Sequence, residues 1–131
     1  MLQISYISRQ KSNLSLKDYA NIKVVSNHNN QKHKIGGELI VFGGLFYQTL
    51  RGEEEKVKAL YNKIAQDNRH TDIIILEEKT VHQSSDTSWG MQYLNLDREN
   101  KKILKPARQM LKHIINNYQE IRDHKEVLEK Y

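Results

Sequence analysis

The chain has 131 residues, a formal net charge of +5 at pH 7, one proline and no cysteine, which suits one domain rather than two. Without cysteine the chain forms no disulfide scaffold, thiolate nucleophile, Cys-ligated zinc site or iron–sulfur site. The positive surplus favours an anionic partner only weakly, and no helix-turn-helix, RNP or zinc-finger spacing accompanies it, so we do not expect nucleic-acid binding.

The first predicted elements are a strand and a helix. Apolar residues alternate over residues 2–7, which is typical of a strand with one buried face and points Tyr6 inward. Ser15 can cap the helix that follows, which we expect to run from residue 16 to about residue 27. The amides of residues 26–31 compete with the backbone for hydrogen bonds, so they predict a helix end and a loop.

A hairpin and a second helix follow. Two apolar runs, residues 38–42 and 45–50, flank Gly43 and Gly44, and both glycines can adopt the positive φ of a tight turn. Glutamates then open a helix that ends near Ala65, with acidic side chains at its positive end and apolar residues at helical spacing.

Two more strands complete the predicted order β-α-β-β-α-β-β. The β-branched run of residues 72–76 is typical of a central buried strand, and residues 88–96 alternate like a second strand. This order predicts an α+β, ferredoxin-like sheet with two helices on one face. Residues 96–131 predict an amphipathic C-terminal helix, which either covers the other face of the sheet or forms a dimer or partner surface.

No segment of the sequence predicts a membrane anchor or a targeting signal. The apolar runs are far shorter than the roughly 20 residues of a membrane helix, and no signal-peptide pattern follows Met1. We therefore expect a cytoplasmic protein without membrane contact. The histidines show no metal-ligand spacing, so no metal site is expected.

Polar residues could converge on one pocket between the helices and the sheet. Tyr6 points inward, whereas alternation in the third strand turns either Phe46 and Gln48 or their neighbours inward. A buried glutamine needs partners for both its carbonyl and its amino group. Taken singly, these residues also fit structural roles, such as a core tyrosine or, for Asn29 and Asn30, a cap and a turn.

Six separated segments, in order and at the family's spacing, together resemble the BLUF domain, the sensors of blue light using flavin. The segments are Ile4 to Ser8, Ser26 to Asn30, Ile35 to Gly37, Phe46 to Gly52, Gln66 to His70 and Ser88 to Met91. The resemblance implies a flavin-binding domain over residues 1–95 and a helical extension over 96–131 that acts as a cap, output or dimerisation element. It also implies a photoreceptor, not an enzyme, that binds FAD non-covalently, or FMN in its place.

The resemblance assigns roles to individual residues. Tyr6 corresponds to the photoactive tyrosine, and Gln48 to the glutamine that passes its electron-coupled proton and rearranges the flavin's hydrogen bonds. Asn30 matches the asparagine at the flavin's C4 carbonyl and N3 edge, and Trp89 and Met91 match a switch strand that signals to a protein partner or within an oligomer. Further flavin contacts are implied for Ser26, Asn29, Lys63, Asp67, Arg69 and His70.

Two alternatives on the same fold stay open. A flavin-free, ferredoxin-like regulatory module would bind a small ligand or a partner at the same cleft and would be colourless. An acylphosphatase-like hydrolase would need an arginine and an asparagine together at a phosphate, and Arg51 and Asn29 are the available pair.

Overall fold

The structure, a computed structural model, describes residues 1–82 and 89–95. These residues form, in chain order, β1 (Leu2–Gln10), α1 (Leu16–Lys32), β2 (Gly36–Phe42), β3 (Leu45–Gly52), α2 (Glu54–Ala65), β4 (His70–Thr80) and β5 (Gly90–Asn95). The predicted order of elements is confirmed. The predicted C-terminal helix and the proposed extension over 96–131 lie outside the described residues.

The described strands form one mixed sheet in the order β4-β1-β3-β2-β5. Neighbouring strands are antiparallel except β2 and β5, which are parallel. The first four strands have the ferredoxin-like arrangement of two split βαβ units, so the predicted fold class is confirmed. The register of β1 and β3 places Tyr6 directly opposite Gln48, and directly opposed residues share one face of the sheet.

The main core lies between the sheet and the two helices. Its buried residues are Leu2, Ile4, Ile22, Ile35, Leu39, Val41, Phe46, Leu50, Val57 and Met91. The other face of the sheet is also buried in places, at Ile7, Ile40, Phe42 and Leu45. The prediction that β1 buries one face is therefore wrong, and Ser5 on its second face is buried with a hydrogen bond to Thr49.

The hairpin and the start of α2 follow the sequence predictions. Gly43 and Gly44 have φ values of +50° and +82°, which match the two positive dihedrals of a tight hairpin turn. Helix α2 begins after Glu53, and the first-turn glutamates lie at its positive end. The strand predicted over residues 88–96 is β5, bounded by Gly90 and Asn95.

Helix α1 is longer than the sequence predicts. A capping box between Ser15 and Asp18 fixes its start, but the helix continues to Lys32, through the amide-rich segment that predicted a loop. The amides do not end the helix because they have tertiary roles, such as the hydrogen bond from the backbone N–H of Met91 to Asn27. Tertiary contacts commonly override local propensity in this way.

Strand β4 lies at an edge of the sheet, so the prediction of a central buried strand is wrong. It pairs with β1, and Ile75 is 45% exposed. A β-branched run indicates a strand but does not indicate its place in the sheet. No helix within residues 1–82 and 89–95 is long and apolar enough to cross a membrane.

Candidate functional site

Tyr6 and Gln48 form the centre of the candidate site. Tyr6 is 2% exposed and Gln48 is 4% exposed, and the Tyr6 hydroxyl donates a hydrogen bond to Gln48 Oε1. The other end of the same carboxamide, Nε2, donates to Met91 Sδ at 3.7 Å. One glutamine on β3 thus connects a phenol on β1 with a thioether on β5. We call this connection the Tyr6–Gln48–Met91 series.

The pairing of β1 with β3 decides which residues of β3 face the helices. Phe46 and Gln48 lie opposite Ser8 and Tyr6 on the helix side of the sheet, and Tyr47 points to the other side. This settles the alternative that alternation in β3 left open.

Burial governs the ionisation of the Tyr6 hydroxyl. Burial raises the pKa of Tyr6 far above its ordinary value, and Tyr61 and the Asp67 carboxylate raise it further. The Tyr61 ring meets the Tyr6 ring edge-on, with 5.7 Å between the ring centres. At neutral pH the hydroxyl therefore keeps the proton that it donates to Gln48.

The raised pKa predicts a signature in alkaline unfolding. Above about pH 10 the unfolded chain loses the Tyr6 proton while the folded protein retains it, so rising pH favours unfolding. We expect the unfolding free energy of the wild type to fall more steeply than that of Tyr6→Phe, by up to about 1.4 kcal/mol for each pH unit. Urea unfolding between pH 9 and 11 measures both slopes, and equal slopes would contradict the buried, neutral hydroxyl.

Asp67, Arg69 and His70 border the site where α2 leads into β4. Arg69 Nε donates to the Asp67 carboxylate at 3.0 Å, and this hydrogen bond holds the pKa of Asp67 below its usual value. One His70 nitrogen, Nε2, donates to the carbonyl of Ile64 at 2.7 Å, because a carbonyl only accepts. In the neutral ring, Nδ1 then accepts from the Ser8 hydroxyl at 2.7 Å.

A cavity open to solvent, with a volume of about 410 Å³ that includes part of that solvent, brings most of the predicted site residues together. Its polar lining consists of Tyr6, Ser26, Gln48, Asp67, Arg69 and His70, and its apolar lining of Ile22, Leu39, Phe46 and Ile64. Ligand pockets commonly combine apolar walls with a few placed polar groups, and such a lining suits a flat ring with a polar edge.

A second cavity open to solvent, with a volume of about 690 Å³ that includes part of that solvent, is lined by the other predicted contacts, Asn29, Asn30 and Lys63. Its remaining lining is His33, Ile35, Lys56, Ala59 and Leu60. Residues of α1 and α2 line both cavities, so both lie between the two helices. Along α1, Ser26 and Asn30 are one turn apart, which makes the two cavities neighbours.

Asn30 supplies a direct test of whether a cofactor fits this space. The residue is 2% exposed, and its Nδ2 has no hydrogen-bond partner among the residues that the structure describes. A buried donor without a partner costs about 1–3 kcal/mol. A ring carbonyl would satisfy it, so the residues present fit a flat group that carries a carbonyl acceptor.

The structure separates other predicted residues. Trp89 is half-buried and lines neither of the two cavities described, whereas Met91, two residues on, contacts Gln48. Arg51 Nε donates to Gln3 Oε1 on the face of the sheet opposite the helices, whereas Asn29 lines the cavity on the helix side. The acylphosphatase-like alternative thus lacks its arginine and asparagine pair.

Two residues near the series were not predicted from the sequence. Tyr61 occupies a helical apolar position, so its pattern indicated only a core residue, whereas the structure places its ring against the Tyr6 ring. Asn27 lay at the predicted end of the helix, and no sequence pattern indicated its contact with β5. Within residues 1–82 and 89–95, no group of three or more acidic or histidine side chains could hold a metal ion.

The family comparison agrees with this geometry. Residues 1–92 match the BLUF family, described as sensors of blue-light using FAD. The chain belongs to the BLUF family. Proteins of this family sense blue light with a bound flavin, which favours a sensor over the flavin-free module of the sequence analysis.

Curated relatives carry the BLUF segment within longer proteins. The chain is 38% identical over 74 residues to the photoactivated adenylate cyclase subunit alpha of Euglena gracilis, a match covering 56% of this chain and 7% of that protein. It is 34% identical over 71 residues to the blue light- and temperature-regulated antirepressor BluF of Escherichia coli, covering 54% of this chain and 18% of that protein. The chain therefore matches less than a fifth of either relative.

Solved structures share this fold. A bacterial light-regulated adenylyl cyclase superposes with a TM-score of 0.75 at 37% identity, covering 100% of this chain and 36% of that chain. The ground state of BlsA superposes with a TM-score of 0.72 at 27% identity, covering 97% of this chain and 87% of that chain.

Proposed function

We propose that this chain is a blue-light photoreceptor that binds FAD non-covalently, or FMN in its place, between α1 and α2. Residues 1–95 form the flavin-binding domain, and the signal leaves through β5 and residues 96–131 to a protein partner or within an oligomer. The observation that carries the proposal is the buried Tyr6–Gln48–Met91 series beside a cavity with apolar walls.

The unpaired donor of Asn30 supports a place for the flavin's polar edge. Asn30 Nδ2 would bind the C4 carbonyl, and Lys63, which lines the same cavity, would lie near the C2 carbonyl. Ser26 and Asn29 would make further polar contacts along α1. Asp67, Arg69 and His70 would border the ring on the β4 side.

Tyr6 would then act as a reversible source of an electron and a proton, and Gln48 would accept the proton. When bound, the flavin absorbs blue light and becomes a strong oxidant. Tyr6 would give up an electron to the bound flavin, and as its hydroxyl proton moves to Gln48 Oε1, the atom that it already contacts, Gln48 Nε2 would release a proton to the flavin, so that the carboxamide stays neutral. The Gln48 carboxamide then rotates or tautomerises, which exchanges its donor and acceptor ends. Return of the proton and the electron to Tyr6 restores the dark state without an external reagent.

Met91 connects this exchange with the output strand. In the dark arrangement Gln48 Nε2 faces Met91 Sδ, and exchange of the carboxamide ends removes that donor. One hydrogen bond is worth about 1 kcal/mol net, which biases two arrangements of similar energy without unfolding the domain. We therefore assign this chain a sensing role and no enzymatic step. The match to the photoactivated adenylate cyclase subunit alpha of Euglena gracilis covers only 7% of that protein, which supports this assignment.

An absorption spectrum before and after blue illumination tests the proposal. We expect a yellow protein whose flavin band shifts to the red under blue light and returns in darkness. Red light and free flavin at equal absorbance serve as controls, and chromatography of the released cofactor distinguishes FAD from FMN. A chain that stays colourless after incubation with both flavins, or a flavin band that only bleaches, would contradict the function.

A further inference from the structure

Helix α1 presents a stripe of side chains to the proposed flavin site. Ile22, Ser26 and Asn30 recur at every fourth position, so they share one face of the helix. The first two line the smaller cavity and the third lines the larger one. This face of α1 therefore borders both cavities of the proposed flavin site.

The stripe one residue further along α1 contacts β5. Asn27 Oδ1 accepts a hydrogen bond from the backbone N–H of Met91 at 3.0 Å. One turn earlier, Lys23 Nζ lies 5.8 Å from the centre of the Tyr93 ring. The helix thus faces the flavin site with one stripe and the proposed output strand with the next.

The hydrogen bond from Met91 to Asn27 lies at one edge of the described sheet. Strand β5 is an edge strand that pairs with β2. The N–H of Gly90 donates to the carbonyl of Ile35 at 2.9 Å, and successive N–H groups of a strand point in opposite directions. The N–H of Met91 therefore points away from the sheet, where Asn27 satisfies it.

Gly90 permits this close approach of helix and strand. Its φ is +111°, a conformation that residues with a side chain rarely adopt. A Cβ at this position would lie 2.5 Å from Asn27 Oδ1 and 3.0 Å from Gln31 Cγ. The backbone of Gly90 and the stripe of α1 are therefore fitted to each other.

We propose that Asn27 is a positioning residue that fixes β5 to α1 and holds Met91 beside Gln48. Met91 is bound at its backbone N–H by Asn27 and at its thioether by Gln48. Light would release the second contact, and Asn27 determines how far β5 then moves. Only this consequence in the light rests on the proposed photoreceptor function, because the dark contact belongs to the fold itself.

Amide hydrogen exchange at Met91, measured by NMR in the dark, tests the contact. We expect exchange to be about tenfold faster in Asn27→Leu, the change that corresponds to the loss of one ordinary hydrogen bond. Asn27→Asp keeps an acceptor oxygen and should retain the wild-type rate. Asn21→Leu, at an exposed position of the same helix, is the matched control. Equal Met91 exchange in wild type and Asn27→Leu would overturn the proposal.

Gly90→Ala tests the same contact without changing Asn27. The added methyl group displaces the Asn27 carboxamide, so Met91 exchange should rise at least as much as in Asn27→Leu. Unchanged exchange in a folded Gly90→Ala protein would count against the fitted geometry.

Measurements under blue light distinguish the positioning role of Asn27 from the proposed photoreceptor function. With an intact Tyr6–Gln48 pair, Asn27→Leu should keep the red shift of the flavin band, while the light-induced rise in Met91 exchange becomes smaller than in wild type. A merely structural role would leave that rise unchanged and would overturn the positioning role. If wild type itself shows no red shift, the photoreceptor function fails, and the dark exchange data still decide on the contact.

Discussion

Tyr6→Phe and Gln48→Leu should each leave flavin bound and abolish the reversible red shift. The phenylalanine lacks the hydroxyl whose proton moves to Gln48 Oε1, and the leucine has neither a carbonyl acceptor nor an amino donor. Neither change removes Asn30 or Lys63, to which we assign the polar edge of the ring. Difference spectra under blue light, normalised to the flavin content of each protein, measure the result.

Matched controls lie on β3 and β5, two of the three strands of the series. Tyr47→Phe removes a hydroxyl on the face of β3 opposite the helices, and Gln92→Leu removes an exposed carboxamide from β5. Both controls should shift as wild type does. A normal red shift in Tyr6→Phe or Gln48→Leu would refute the mechanism. A loss of the red shift in the controls would mean that the loss is not specific to the Tyr6–Gln48–Met91 series.

These substitutions should also change the stability of the fold, because they remove partners of buried polar groups. Gln48→Leu leaves the buried Tyr6 hydroxyl without its acceptor, which should lower the unfolding free energy by about 1–3 kcal/mol. Folding of each variant is checked by urea unfolding, so that loss of the shift is not confused with loss of the fold.

The order of helices and strands could be predicted from the sequence, and so could the inward position of Tyr6, but not that of Gln48. Alternation in β1 turned Tyr6 inward, and two glycines fixed the hairpin that pairs β2 with β3. Which face of β3 carried Gln48 could not be predicted, because it depends on the pairing with β1, a contact between distant parts of the chain. The family resemblance selected Gln48 where local pattern left a choice.

The amide-rich end of α1 shows why the rest could not be predicted. Asn27 and Asn30 have low helix propensity, and in isolation their side chains compete with the backbone. Their places in the helix depend on the N–H of Met91 and on the buried space beside α2. Propensity describes neither of these distant features. The error therefore falls on residues that we assign to the flavin site and to the contact between α1 and β5.

Stability and binding should conflict at Asn30, and Asn30→Leu should reveal the conflict. In the chain without flavin, the substitution removes a buried donor that has no partner within the described residues, so the unfolding free energy should stay equal or rise by about 1 kcal/mol. In flavin binding, the same substitution removes the contact proposed for the C4 carbonyl. We expect the dissociation constant to rise by about tenfold to a hundredfold.

Two measurements on the same proteins decide between a cofactor ligand and a structural asparagine. Urea unfolding of the flavin-free chain gives the first, and quenching of flavin fluorescence on titration with that chain gives the second. Asn21→Leu, exposed on the same helix, should change neither. A structural asparagine would give the opposite result for Asn30→Leu, with a less stable flavin-free chain and an unchanged dissociation constant. Unchanged or higher stability of the flavin-free chain together with weaker flavin binding is expected only if the unpaired Nδ2 of Asn30 is kept, at a cost in stability, for the cofactor.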